Sequence, residues 1–467
     1  MQASPAAGTY DPRTRYAILT AAGGVTGQFA GVTSDLAFLT PSLTYAANEV
    51  DLNLTRNDIA FSAVAANRNQ AGVADAIQAG GAGTAAFQST VGLTAAEART
   101  AFQALAGDVH ASSAATAFTT AFFVREAILD RLRWGGTPGV ADGLDLGRLP
   151  AAYTADLPGR TAPVASVPAR ILDPRVFGLW GQGFGSFGDA RTDGNAAGLT
   201  RQISGFVIGA DVRLESGFKL GVAGGYSTAS LDTAGRLQSA TIESGFGGVY
   251  GGYESGPVSV RLGAVYSDDS TRTRRSVAFA GFAGSPQARV GGSTVQGFGE
   301  LGYRFFLGEA APVAVISKDP VAPRSTALSY IEPFVGGAYV SVGRDRFVET
   351  GGAAALVGFA RDYEIGTATV GVRAQTALDL WNLPLSAHGL VGYRRAFGDV
   401  VPTALLSFGT GPSFLSAGLP IDRDALVAEA GLDLRVAPNA TLGVAYRGQA
   451  GDRAQDHAVK GNLTLRF

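Results

Sequence analysis

The sequence contains no cysteine and few charged residues, and both absences narrow the class of protein. Without cysteine the chain forms no disulfide, holds no zinc-finger site and offers no thiol nucleophile. A chain that crosses an oxidising periplasm unfolded gains from having no thiols to mispair. Charged residues make up 16% of the chain and the net charge is −2, so nucleic-acid binding has no electrostatic basis.

Long apolar runs and a signal peptide are also missing. No stretch approaches the roughly 18 uninterrupted apolar residues that a membrane helix needs. The first residues, MQASPAAGTYDPRTRYAIL, lack the basic start and the apolar stretch of a signal peptide. If the chain reaches a membrane, we therefore expect it to cross as a β-barrel.

Motifs for catalysis and cofactor binding are weak. The segments GFGSFG and GFGELG fit the dinucleotide fingerprint, but neither opens a helix in a βαβ unit. His110, His388 and His457 have no HExxH spacing, and no G-x-S-x-G elbow occurs. A serine or carboxylate site assembled in space is not excluded by spacing, but nothing signals one. We expect no catalytic residue, no cofactor and no metal.

Glycine is abundant instead, and in the second half of the chain side chains of two kinds alternate with a period of two. The 65 glycines of the whole chain are about twice the usual share. In GFVIGADVRL, Phe206 and Ile208 alternate with Val207, Gly209 and Asp211. In a membrane barrel the apolar face is outside, and small or charged residues point into the lumen.

The number of strands follows from the connections. From residue 176 onward we count thirteen candidate strands, and a barrel that begins and ends on the periplasmic side has an even number. The weakest candidate, residues 403–416, is assigned to a loop, which predicts twelve. Short connections at 215–217, 254–256, 379–383 and 437–439 then alternate with long ones such as 268–287 and 343–363. The Pro-rich connection at 308–325 breaks this alternation, and we have no physical account of it.

Before the barrel, residues 109–134 predict a helix that ends at two glycines, followed by a Pro-rich linker at 135–174. At 1.5 Å per residue its stretch from residue 110 to residue 133 is roughly 36 Å long, enough to cross an apolar band of about 25 Å. The residues that we assign to a pore helix are Phe118, Phe122, Arg125, Glu126, Asp130, Arg131 and Arg133. The charges that we expect in the lumen are Asp211, Arg213, Arg261, Glu300, Arg304, Arg373, Glu429, Asp433 and Arg435. The alternative is a soluble amphipathic helix with a solvated charged face.

In order along the chain, RVFGLWGQGFG, YIEPFVGGAYV, LVGYRRAFGD, LPIDRDALVAEAGLDL and the terminal LTLRF resemble the translocator barrel of bacterial autotransporters, the type V secretion proteins. The segment LAGDVHASS to FFVREAILDRLR is similar to the part that threads the barrel pore in this family. The beginning, YAILTAAGGVTGQFAGV to DLNLTRN, is similar to the last rungs of a passenger β-helix. This resemblance implies an all-β membrane protein: a passenger end made of β-helix rungs at 1–107, a pore-spanning helix at 108–134, a linker at 135–174 and a twelve-stranded antiparallel barrel at 175–467.

The last strand carries a further implication of the resemblance. Leu463, Leu465 and Phe467 share one face, and in outer-membrane barrels such a terminal strand is the signal read by the barrel-assembly machinery. An unpaired edge strand with an apolar face is suited to capture by edge pairing. Gly461 lies one place before the position where the family has a glycine. No Asn-Asn pair occurs in residues 109–133, so we expect no self-cleavage by that route.

The expected function is an outer-membrane translocator that carries its own N-terminal passenger to the bacterial cell surface. The expected partners are outer-membrane lipid, the barrel-assembly machinery, periplasmic chaperones and the passenger itself, with no nucleic acid, and we expect a monomer. One rival is a porin-like or short adhesin barrel that is complete as written. The other is the carrier end of an enzyme, a protease or esterase, whose catalytic passenger lies upstream.

Overall fold

The computed structural model describes residues 1–3, 15–134, 177–214, 217–235, 237–307, 329–380 and 383–467. The predicted linker at 135–174 and the predicted long connection at 308–325 lie outside the described residues. Parts of the predicted turns at 215–217 and 379–383 also lie outside them.

The N-terminal part of the chain is a small sheet followed by helices. In chain order its elements are β1 Gln2–Ala3, β2 Arg15–Thr20, β3 Thr33–Ser34, β4 Leu39–Tyr45, β5 Glu49–Arg56, a 3₁₀ helix Phe61–Val64, α1 Arg68–Gly80, α2 Ala85–Val91, α3 Ala95–Leu105 and α4 Asp108–Arg133. Strands β2, β5 and β4 pair as an antiparallel three-stranded sheet. Helix α4 covers nearly all the residues that the sequence predicts to be helical.

Helices replace the expected β-helix rungs between residues 61 and 105. Rungs of a β-helix stack in parallel, whereas the sheet β2-β5-β4 is antiparallel. The Ala-rich stretches in this range form helices whose N-termini are capped by polar side chains. The side chain of Asn67 accepts a hydrogen bond from the backbone N–H of Gln70 at 2.9 Å. Thr94 and Glu97 form a capping box at the start of α3. The prediction of β-helix rungs is therefore wrong for these residues.

The remaining strands belong mainly to a barrel. They are β6 Phe177–Ala190, β7 Leu199–Arg213, β8 Phe218–Thr233, β9 Gln238–Ser255, β10 Val258–Arg275, β11 Val277–Phe279, β12 Phe282–Gly284, β13 Gln287–Tyr303, β14 Phe305–Leu307, β15 Ser329–Arg344, β16 Phe347–Val348, β17 Leu356–Gly358, β18 Arg361–Leu380, β19 Leu383–Gly398, β20 Thr403–Phe408, β21 Ser413–Ala417, β22 Asp424–Ala437, β23 Ala440–Gly451 and β24 Ala454–Arg466.

Twelve long strands close into an antiparallel barrel, which confirms the predicted architecture. The order around the barrel is β6, β7, β8, β9, β10, β13, β15, β18, β19, β22, β23 and β24. Strand β24 pairs with β6 over thirteen positions, from Ala454 opposite Ala190 to Arg466 opposite Gly178. The short β14 follows β13 after Arg304 and pairs with β15 as well. Each of the twelve strands therefore has a neighbour on both sides.

Segments that the sequence assigns to loops form strands. Residues 403–416 stay out of the barrel, as predicted, but β20 and β21 make a hairpin in a separate sheet with β16 and β17. Strand β10 runs to Arg275, well into the predicted long connection at 268–287. The alternation of buried and exposed positions continues there through Thr271 and Thr273, so the strand continues too.

The outer face of the barrel is apolar and carries two levels of exposed aromatic rings. One level lies at the mouth formed by the short turns and comprises Phe177, Phe218, Tyr303, Phe305 and Phe467. The other comprises Phe206, Tyr226, Tyr266, Tyr339, Tyr393 and Tyr446. On β8, Phe218 and Tyr226 are eight residues apart, about 26 Å along the strand. Two aromatic girdles around an apolar band are typical of outer-membrane barrels.

Glycines on the barrel wall make room for aromatic rings of neighbouring strands. A Cβ added to Gly263 would lie 2.4 Å from Cζ of Phe298, and one added to Gly209 would lie 2.5 Å from Nε1 of Trp180. The same relationship joins Gly221 to Tyr250. Aromatic rings thus lie flat against the wall beside the helix, which accounts for part of the high glycine content.

Candidate functional site: the helix and the barrel interior

Helix α4 is buried along almost its whole length. Every residue from Asp108 to Arg133 is buried except Thr119. Its C-terminal half bonds to strands spread around the barrel: Arg131 to Asp211 on β7, and Arg133 to Glu300 on β13. Asp130 accepts from Lys460 on β24 at 2.5 Å. Because these partners lie on different sides of a closed sheet, we infer that α4 runs through the barrel interior.

The charges around the helix form one connected set, which we call the lumenal charge network. Its hub is Arg133, whose Nη1 donates to Glu126 Oε2 at 2.7 Å and whose Nη2 donates to Glu300 Oε2 at 2.5 Å. Further members of the network are Asp130, Arg261, Arg304, Glu332, Arg373, Glu429, Arg447 and Lys460. Buried charges need such partners, since an unpaired ion in a protein interior is strongly destabilising.

Most of the predicted lumenal charges join this network, but not all. Arg213 is half-buried near the end of β7, and Arg435 donates to the carbonyl of Pro438 at the following turn. Asp433 lies 3.2 Å from His388 and accepts from Asn462 at 3.3 Å. Of the two predicted aromatic residues of the pore helix, Phe118 packs in the interior core and Phe122 lies among arginines.

Several network residues were missed from the sequence. Glu332 accepts from Arg261 at 2.9 Å and is fully buried, and Lys460 bridges Asp130 and Glu429. Glu332 and Lys460 occupy inward positions of strands in which inward and outward residues alternate. This alternation can be recognised in the sequence and could have predicted both residues as lumenal. The sequence does not show which charged residues pair across the barrel.

The predicted barrel-assembly residues lie on the outer face. Leu463 and Phe467 are exposed and Leu465 is half-buried. The Phe467 amide donates to the Phe177 carbonyl at 2.9 Å, so the terminal residue still pairs with the first barrel strand. The apolar side chains of this strand therefore face the same surroundings as the aromatic girdles.

The 3₁₀ helix and helices α1 to α3, residues 61–105, pack against the mouth of the barrel far from the short turns, and we call them the N-terminal cap. Asn69 on α1 exchanges two hydrogen bonds of 2.8 Å with the backbone of Ala417, and it accepts from Asn195 at 3.1 Å. The cap shares one hydrophobic core with strands of this mouth, including Phe102, Leu105, Leu356, Leu406 and Phe414.

A buried ionic contact lies where the cap meets α4. Glu349 Oε1 lies 2.7 Å from His110 Nε2, and Arg275 donates to both carboxylate oxygens at 2.8 and 2.7 Å. Burial raises the pKa of Glu349, but the hydrogen bonds with His110 and Arg275 and the charge of Arg275 outweigh it, so the pKa is lowered to about 2.

No group of His, Asp and Glu among the described residues is arranged to hold a metal ion. Within the described part of the chain, no helix combines the length and the apolarity needed to span a membrane.

Comparisons with known proteins agree with this geometry. The family model for the autotransporter beta-domain matches residues 179–447. Two curated proteins of Serratia marcescens, each named extracellular serine protease, are 27% identical over 496 aligned residues, which cover 97% of this chain and 43% of the relative. The chain therefore spans less than half the length of these relatives.

The matches among solved structures include two parts of autotransporters. The translocator domain of autotransporter NalP from Neisseria meningitidis is 13% identical, with a TM-score of 0.48, and covers 63% of this chain and 90% of that one. The transport unit of the autotransporter AIDA-I from Escherichia coli is 15% identical, with a TM-score of 0.47, and the match covers 63% of this chain and 92% of that one.

Proposed function

Because the chain belongs to the autotransporter family, we propose that it is the outer-membrane translocator of a passenger that it anchors at the bacterial cell surface. The observation that carries this proposal is the set of buried ion pairs between α4 and the barrel wall. A helix held in this way closes the pore after the chain N-terminal to it has moved outward. The short turns then face the periplasm, and the N-terminal cap faces outside.

No nucleotide is required in this scheme. The N-terminal cap and the sheet β2-β5-β4 bury apolar side chains against each other and against the barrel mouth. Folding of this part outside the cell lowers the free energy and biases the chain outward. The barrel itself acts as carrier, and we assign it no catalytic residue.

We also propose that Leu463, Leu465 and Phe467 are recognised by the barrel-assembly machinery, after periplasmic chaperones have kept the unfolded chain soluble. Their apolar side chains lie at the end of a strand that is an open edge until it pairs with β6. Such an edge can be captured by strand addition.

The orientation can be tested with single cysteines, because the chain has none of its own. Ala82→Cys lies in an exposed part of the cap, and Asn439→Cys lies in an exposed short turn. In intact cells, a membrane-impermeant maleimide should label the first variant only. Asn439→Cys should react once the outer membrane is permeabilised. Labelling of Asn439→Cys in intact cells, or protection of Ala82→Cys, would contradict the proposed orientation.

A protease passenger is the more specific hypothesis, since the curated relatives of Serratia marcescens are named extracellular serine proteases. On this hypothesis the described chain is the carrier end, and the catalytic residues lie upstream. The mass and N-terminal sequence of the native product in purified outer membranes test it. A product that begins well upstream of Met1 supports the carrier hypothesis. A product that begins near Ala3 supports a porin-like or short adhesin barrel.

A further inference from the structure

Three arginines surround one aromatic ring at the middle of α4. The Cζ atoms of Arg125, Arg394 and Arg447 lie 5.3, 5.1 and 5.0 Å from the centroid of Phe122. Arg125 belongs to α4, Arg394 to β19 and Arg447 to β23. Each of the three is at most 5% exposed. A ring face attracts cations, but it carries no net charge to neutralise them.

Among the residues that the structure describes, Arg447 is the one of these three arginines that is paired with carboxylates. Arg447 donates to Glu126 at 2.6 Å and to Glu429 at 2.8 Å. Its charge is therefore balanced, whereas the charges of its two neighbours require a separate explanation.

Arg125 and Arg394 have amide partners instead. Arg125 donates to Gln296 Oε1 at 3.3 Å, and Arg394 donates to Gln449 Oε1 at 2.7 Å. Among the described residues neither arginine forms an ion pair, and Nε of Arg394 has no hydrogen-bond partner. Two like charges thus lie buried with only neutral acceptors, an arrangement that is unfavourable unless a counter-ion is present.

The nearby carboxylates are already engaged. Glu126 accepts from both Arg133 and Arg447. Asp456 is held by two hydrogen bonds from Arg201, at 2.8 and 2.5 Å. If Asp456 turned towards Arg394, its two hydrogen bonds with Arg201 would be lost. If Glu126 did so, its bonds with Arg133 and Arg447 would be lost.

A cavity of about 30 Å³ is lined by Arg125, by Arg394 and by further residues of the helix and the barrel wall. Its charged lining residues are the arginines Arg125, Arg133, Arg394 and Arg447 and the glutamates Glu126 and Glu300. Four positive and two negative side chains give this lining a net charge of +2. The volume admits one small ligand of roughly the size of a water molecule.

We propose that this cavity binds a small monovalent anion of the size of chloride. The anion accepts a hydrogen bond from Nε of Arg394, which has no partner among the described residues, and it offsets the charges of Arg125 and Arg394. Because one arginine belongs to α4 and the other to the barrel wall, the site is complete only when the helix occupies the barrel. Binding of the anion therefore stabilises the closed form of the pore.

Bromide tests the location of the site, because it replaces chloride and scatters X-rays anomalously. Crystals of the full chain grown with sodium bromide should give an anomalous peak between the side chains of Arg125 and Arg394. The peak should be absent in Arg394→Gln. Absence of the peak in the wild-type protein would overturn the proposal and leave water as the occupant.

Thermal unfolding tests the same site in solution. At equal ionic strength, sodium chloride should raise the Tm of the wild-type protein above its value in sodium gluconate, since gluconate is too large for the cavity. The rise should saturate with chloride concentration, as binding to one site requires.

The control variant is Arg395→Gln, because Arg395 is the next residue, is 51% exposed and pairs with Asp424 outside the barrel. The chloride effect should be lost in Arg125→Gln and Arg394→Gln and kept in Arg395→Gln. Equal Tm values in chloride and gluconate for the wild-type protein, or an unchanged chloride effect in Arg394→Gln, would contradict the proposal. If a variant fails to fold, the comparison of the wild-type Tm in chloride and in gluconate still tests the proposal.

Discussion

Arg131 on α4 and Asp211 on β7 form a buried ion pair with two hydrogen bonds. Nε lies 2.6 Å from Oδ2 and Nη2 lies 2.8 Å from Oδ1, and both side chains are 4% exposed. Gly178 makes room for the contact, since a Cβ there would lie 2.4 Å from Nη2 of Arg131. Two such hydrogen bonds fix the orientation of the guanidinium relative to the carboxylate as well as the distance between them. It therefore holds the C-terminal half of α4 against β6 and β7.

Removal of one partner from this pair should destabilise the barrel. Asp211→Ala leaves Arg131 buried without a carboxylate, which should cost about 3–5 kcal/mol of unfolding free energy. Denaturant unfolding of the purified protein in detergent measures it. The control is Asp424→Ala, because Asp424 pairs with Arg395 at 3.2 Å on the exposed surface and should lose less than about 1 kcal/mol. Equal losses in the two variants would refute a structural role for the buried pair.

Deletion of residues 109–133 should open the pore. On the inference that α4 runs through the barrel interior, the helix fills it, since three cavities beside the helix measure only about 30 Å³ each. The deleted barrel should therefore conduct ions in a planar lipid bilayer, whereas the intact chain should conduct little. A barrel that lacks only residues 15–56 keeps the helix and should remain closed. A closed pore in the helix deletion would argue against the plug.

The glycines beneath aromatic rings should tolerate no side chain. In Gly263→Ala the new Cβ would lie 2.4 Å from Phe298, and the strain should cost about 1–3 kcal/mol. Gly297→Ala is the matched control, because no atom lies within 4 Å of its added Cβ. The double variant Gly263→Ala with Phe298→Leu should recover part of the loss. Unfolding curves that coincide for the two single variants would contradict this account.

Removal of the terminal aromatic residue should reduce barrel assembly in cells. Phe467→Ala deletes an exposed ring from the strand that we assign to the assembly signal, and the amount of heat-modifiable barrel in the outer membrane should fall. Phe187→Ala serves as control, since Phe187 is also exposed on the outer face, at 64%, but belongs to the first barrel strand. Unchanged levels of folded Phe467→Ala barrel would remove the support for this signal.

The contact of Glu349 with His110 and Arg275 should make the N-terminal cap sensitive to acid. Its pKa of about 2 in the folded protein lies below the ordinary value of 4.5. Ionised Glu349 therefore stabilises the fold above about pH 4.5, and this contribution is lost as the pH falls towards 2. Pepsin should cleave the cap progressively faster over that range.

Two variants check the acid effect. In Glu349→Gln, pepsin should cleave the cap fast already near pH 4.5, and the acid dependence should be flatter. Glu243→Gln should behave like the wild-type protein, because Glu243 is partly exposed and pairs with Arg272 on the outer face. A wild-type pH profile in Glu349→Gln would assign the acid sensitivity to other groups.

The sequence alone determined the barrel and the helix, because both depend on local periodicity. The alternation around Phe206 and Ile208 has the period of a strand, and the outward faces of such strands are apolar along the chain. Residues 109–134 lack proline and glycine and space their apolar side chains as a helix does. The Ala-rich residues 61–105 were missed, because their helices depend on caps such as Asn67 and on packing against the barrel mouth.

Only the tertiary structure decided which charges pair. Lys460 and Asp130 are 330 residues apart in the chain and bond at 2.5 Å, while Arg435, on the same inward alternation as Glu429, bonds to a turn instead. Local spacing gives the face on which a side chain lies, but partners across a lumen are set by closure of the barrel and by the position of the helix within it. For that reason the sequence does not predict that Arg125 and Arg394 line one cavity. Only the folded chain brings them together.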